Sequence, residues 1–175
     1  MIGPKAVLLA ISLAVFPALA DGTLTESSNV REPQRWAVGF TLGSPTGLSF
    51  KRYLGGSNAF DIDLGFAYGP GLRLGVDYLW ELAQLAPRSQ SVNIDFYIGA
   101  GPFVGALSGP CGNFGSHQSC GNGDVYLGAR MPIGLEAVFR RVPVSLGLEV
   151  APALAFAPGS AGFLLDVNLA VRVLL

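Results

Sequence analysis

Phe60-Asp61-Ile62-Asp63-Leu64-Gly65-Phe66-Ala67-Tyr68, then Gly69-Pro70-Gly71, then Leu72-Arg73-Leu74-Gly75-Val76-Asp77-Tyr78-Leu79-Trp80-Glu81-Leu82: this stretch decides the fold. Every even position from 60 to 68 and from 72 to 82 is large and apolar. The odd positions hold Asp, Gly, Ala, Arg, Leu or Glu. A period of two sends alternate side chains to opposite faces of a strand. Two such runs around Gly-Pro-Gly read as a β-hairpin.

The same pattern extends in both directions. Trp36 to Leu42 and Leu48 to Leu54 alternate around the turn Gly43-Ser44-Pro45-Thr46-Gly47. Downstream, Val92 to about Leu107, Val125 to Phe139, Val144 to Phe156 and Gly162 to Leu175 each carry one apolar and one polar face. Pro102 predicts a bulge or the end of pairing within its segment, because proline donates nothing to a ladder. The total is eight strands, joined by hairpin-sized connections except for the long loop Ser108 to Asp124. An antiparallel up-and-down meander of eight strands closes into a barrel, which removes its exposed edges.

The first twenty residues stand apart. Lys5 precedes an apolar stretch from Ala6 to Leu19, and Ala18-Leu19-Ala20 is a small-x-small cleavage pattern before Asp21. Residues 1–20 therefore read as a secretory signal peptide. Residues 21–35 read as a polar, flexible lead-in and 36–175 as the barrel.

Volume decides which face points out. The apolar faces hold mostly Leu, Val, Ile and Phe, while the opposite faces hold Gly, Ala, Ser and isolated charges. An eight-stranded barrel encloses only enough room for packed side chains, so the bulky face would overfill it. The apolar face is expected outside, where lipid tolerates it. Composition agrees: 13% of residues are charged, against about 25% in a soluble domain. Trp36, Tyr68, Tyr78, Trp80 and Phe139 lie near strand ends, where aromatic girdles form. A net charge of −1 gives no electrostatic case for nucleic acid.

Twelve charges fall on the inward face: Lys51, Asp61, Asp63, Arg73, Asp77, Glu81, Asp95, Arg130, Glu136, Glu149, Asp166 and Arg172. Buried charges must pair or be hydrated, so these groups are expected to plug the lumen with salt bridges. A thin path for ions or small solutes is the alternative.

On these residues the chain resembles the small outer-membrane β-barrel proteins of Gram-negative bacteria, in the OmpA/OmpX-type size class. The run Gly43 to Ser49 with Lys51, then Asn58-Ala59-Phe60-Asp61, is similar to the start of a little-characterised family with a Gly-x-Pro-Thr-Gly turn. The resemblance implies an outer-membrane location, contact with membrane lipid and lipopolysaccharide, and passage through the barrel-assembly machinery. A monomer is expected. Leu175 departs from the pattern, since such barrels usually end in Phe or Trp.

Catalysis has little to rest on. Some small barrels act on lipid A through a Ser and a His, but the single histidine, His117, sits in a glycine-rich loop beside Ser116 and Ser119. That is a poor scaffold for a nucleophile and its base. Cys111, His117 and Cys120 offer three ligands without zinc-site spacing. No catalytic, cofactor or metal site is expected. Cys111 and Cys120, the only cysteines of an exported chain, are expected to form a disulfide. The function expected is a structural or surface-interaction role. A narrow passage is the first alternative and a lipid-A-modifying enzyme the less favoured one.

Overall fold

The computed structural model describes residues 36–67, 71–85, 92–106, 112–114, 117–119, 125–139, 141–157 and 160–175. The expected signal peptide and lead-in lie outside the described residues, as do Tyr68, Cys111, Ser116 and Cys120.

The opening stretch forms β3 (Asn58–Ala67) and β4 (Gly71–Gln84), paired antiparallel. Before them come β1 (Trp36–Gly43) and β2 (Thr46–Gly55). After them come β5 (Val92–Ala106), β8 (Val125–Arg130), β9 (Ile133–Phe139), β10 (Val144–Ala157) and β11 (Ser160–Leu174). These nine strands form one antiparallel sheet that closes through pairing of β11 with β1. A separate short hairpin, β6 (Gly112–Phe114) with β7 (His117–Ser119), lies within the long loop.

The count of eight strands needs correction. The segment Val125 to Phe139 is two hydrogen-bonded strands, because Pro132 lacks an N–H for the ladder. Both β8 and β9 pair with β5 on one side and β10 on the other. They occupy a single place in the ring, which therefore has eight positions. Around the break, Met131 N–H donates to the Pro152 carbonyl at 3.0 Å and Gly99 N–H to the Pro132 carbonyl at 2.7 Å. Register is kept across it. Pro102 has a smaller effect than expected. Pairing with β4 lapses between Phe103 and Ala100, but Pro102 still faces Ala129 of β8.

Register fixes the barrel's geometry. From Leu64, successive partners Leu74, Val104, Leu127 and Phe156 lead to Ala161 on β11. In the other direction, Leu48 and Phe40 lead to Val171 on the same strand. The two paths meet β11 ten residues apart, so the shear is ten. With ~3.3 Å per residue and ~4.8 Å between strands, ten residues over eight positions tilts the strands by roughly 40°. We call the end carrying Trp36 and Leu175 the terminal end, and the end carrying β6–β7 the loop end.

Candidate functional site

The lumen is built by the inward positions of the alternating strands. Eleven of the twelve charges expected there are buried: Lys51, Asp61, Asp63, Arg73, Asp77, Asp95, Arg130, Glu136, Glu149, Asp166 and Arg172. Glu81 is half-buried. It sits next to a register shift between Glu81 and Ala83, which disturbs the alternation at the terminal end of β4.

The charges meet across the bore. Lys51 Nζ on β2 lies 2.7 Å from Glu136 Oε2 on β9, and Tyr53 Oη donates to Glu136 Oε1 at 2.8 Å. Positions β2 and β9 stand opposite each other in a ring of eight. Arg73 on β4 holds Asp166 on β11 through two bonds, of 3.2 and 2.5 Å. Those strands are opposite as well. Ser44 Oγ caps the same carboxylate at 3.2 Å.

Two arginines gather five of the carboxylates. Arg172 Nη2 reaches Asp61 Oδ2 at 2.6 Å, its Nε donates to Ser49 Oγ at 2.8 Å, and its Nη1 lies 3.8 Å from Glu136. Arg130 Nη2 bonds Asp63 Oδ2 at 2.7 Å and also Asp77 Oδ2. Glu149 takes hydrogen bonds from Tyr97 Oη at 3.0 Å and Asn168 Nδ2 at 3.4 Å. Bidentate and charge-assisted bonds of this kind are the strong ones, and low surrounding polarity makes their loss costly.

Two clusters of buried apolar and aromatic side chains pack among these charges, one toward each end. Ala37, Tyr53, Ala59, Leu79 and Tyr97 pack together toward the terminal end. Phe103, Tyr126, Ala153, Ala155 and Leu164 do so toward the loop end. Tyr53, Phe103 and Tyr126 are inward aromatics that the sequence reading did not single out. Strand parity carried the signal, since Phe103 shares its face with Gly99, Gly101 and Gly105.

Outside, the surface is apolar almost throughout. Phe40, Leu127 and Phe163 are more than 60% exposed, and Leu42, Phe66, Leu148, Leu154 and Leu165 more than 50%. Trp36, Phe60 and Trp80 face out near the terminal end, and Phe66, Phe156 and Phe163 near the loop end. Tyr78 is half-buried between Phe60 and Trp80, and Phe139 is also half-buried.

His117 and Ser119 belong to β7, whose flanking residues Ser116 and Cys120 are not described. Among the described residues, no group of three or more His, Cys, Asp or Glu side chains could hold a metal ion. Compared with known proteins, the chain matches no family model, no curated protein and no solved structure.

Proposed function

We propose that the chain is an outer-membrane β-barrel of a Gram-negative bacterium, closed by its own side chains, with a structural or surface-interaction role. The observation that carries this reading is the inversion of the barrel: charges paired across the bore, large apolar side chains outside. A soluble barrel with so much contiguous exposed Leu, Val and Phe would aggregate. In a bilayer the same face is favourable, and aromatics at both ends suit the interfaces. The long loop belongs on the cell-exterior side, as such barrels prefer, which puts both ends of the described sheet in the periplasm. Cys111 and Cys120 close the loop with a disulfide under this reading.

The lumen supports a non-conducting barrel over a passage, because opposed strands are bonded to each other through its centre. Refolded into lipid, the protein is expected to show β-rich circular dichroism, heat-modifiable gel mobility and no single-channel conductance. A mature chain that is soluble and monomeric without detergent overturns the membrane reading. Steady conductance steps from correctly folded protein overturn the closed lumen and favour the passage.

A further inference from the structure

Arg52 is the only charged residue with an exposed side chain on the described strands. It stands at the terminal end of β2, in register with Trp36 on one side and Phe60 on the other. Its guanidinium carbon lies 5.1 Å from the centroid of the Trp36 ring. Phe60 continues the aromatic surface by edge contact to Tyr78, and Tyr78 to Trp80, with centroids 5.0 Å apart at each step. Arg52 has no carboxylate partner among the described residues. The other exposed side-chain charge described is also basic, Arg141, in the turn before β10 at the same end. The connections at this end, 54–58, 83–91 and 140–143, contain three arginines and no acidic residue.

We propose that Arg52, set in the Trp36–Phe60–Trp80 surface, is a docking site for the headgroup of an anionic phospholipid in the leaflet at the terminal end. The proposal rests on the membrane reading above and names the lipid chemistry that reading leaves open. A guanidinium stacked on an indole keeps its edge free, and that edge matches a phosphate through paired N–H groups. The aromatic band holds it at the depth where acyl chains give way to headgroups. Charge complementarity selects an anionic lipid over a zwitterionic one: the exposed side-chain charges described at this rim, Arg52 and Arg141, are both basic, while Glu81 at the same end is half-buried.

Both tryptophans of the protein, Trp36 and Trp80, lie in this patch, so their fluorescence reports on it. The protein is refolded into mixed phosphatidylglycerol–phosphatidylcholine vesicles in which either one lipid or the other carries brominated acyl chains, at equal mole fractions. Excess quenching by the brominated anionic lipid is expected, equivalent to a local enrichment of roughly five-fold for one basic group near the surface. Arg52→Gln should bring quenching by the two lipids close to parity while heat-modifiability is kept, and Arg52→Lys should retain most of the excess. Equal quenching by both lipids in the unaltered protein overturns the proposal but leaves the membrane barrel standing. So does an excess that persists in Arg52→Gln. Failure of the unaltered protein to insert into either vesicle overturns the membrane reading itself, and this proposal with it.

Discussion

Glycine opposite an aromatic ring recurs along one seam of the barrel. Tyr97 faces Gly134, Phe103 faces Gly128 and Tyr126 faces Gly105, all between β5 and its partners β8 and β9. A Cβ at Gly134 would lie 2.5 Å from the Tyr97 ring, one at Gly128 2.4 Å from Phe103, and one at Gly105 2.3 Å from Tyr126. The missing side chain lets each ring lie across its neighbour instead of standing into the bore. Tyr97 cannot swing aside freely, because its hydroxyl is bonded to Glu149. Gly134→Ala is therefore expected to destabilise the refolded barrel by about 1–3 kcal/mol, as overpacking does. Urea unfolding followed by gel mobility measures it, and Gly134→Ala should cost less when added to Tyr97→Leu than when added to the unaltered protein; the part that remains reflects the Leu148 carbonyl, 2.7 Å from the same Cβ. Arg130 makes a second case at this scale. It serves both Asp63 and Asp77, so Arg130→Met strands two buried carboxylates, whereas Asp63→Asn leaves Arg130 with Asp77. Breaking a buried pair from one side costs about 3–5 kcal/mol. The arginine variant should fall in that range, with the asparagine variant clearly milder in the same unfolding assay. Equal losses would show that the two aspartates do not share one cation.

Among the elements, the broken strand and the loop hairpin are instructive. β8 and β9 keep common registers with both neighbours, so Pro132 interrupts hydrogen bonding without shifting a side chain to the wrong face. Arg130 and Glu136, on either side of the break, both remain inward. The hairpin β6–β7 pairs Gly112 with Ser119, and Cys111 and Cys120 are the residues immediately flanking that pair in the sequence. A short loop closed by a disulfide contributes roughly 2–3 kcal/mol in the chain-entropy account. A barrel held by closed ladders in lipid does not depend on it. Cys111→Ser with Cys120→Ser is thus expected to leave insertion unchanged while added protease cuts within 108–124 more readily. Intact mass after non-reducing alkylation tests the bond itself; two alkylated thiols on freshly isolated protein would refute it.

At the scale of the whole molecule, the shear of ten and the eight positions set the tilt, and the bore that results is narrow enough for Lys51 and Arg73 to reach the opposite wall. The outer belt then has a middle and two rims. Val150 lies near the middle of β10, between Val167 and Ile133, and is exposed. Val150→Arg places a cation at the centre of the belt and is expected to cost about 2–4 kcal/mol in lipid. A cation on the rim, as at Arg52, is expected to cost about 0–1 kcal/mol. Unfolding titrations in bilayers test the contrast. Little effect at Val150 would mean that this face does not meet hydrocarbon.

The sequence by itself determined the places in the ring, the polarity of each segment and the charged residues of the lumen, because a period of two is a local property that one chain of Leu, Asp and Gly positions displays directly. It also placed the reversals between β1 and β2 and between β2 and β3, through Gly and Pro. Phe103 departs from the division of bulky residues outside and small ones inside: its parity is inward, and its ring takes the room that Gly128 leaves. Glu81, in register with inward-facing Tyr97, is only half-buried because it lies at the terminal end of β4 beside a register shift. Which acid meets which base was decided only by the tertiary structure. Lys51 and Glu136 are 85 residues apart, and Arg73 and Asp166 are 93. Their meeting depends on ring closure and shear, which are sums over every register in the sheet and are written at no single position of the chain.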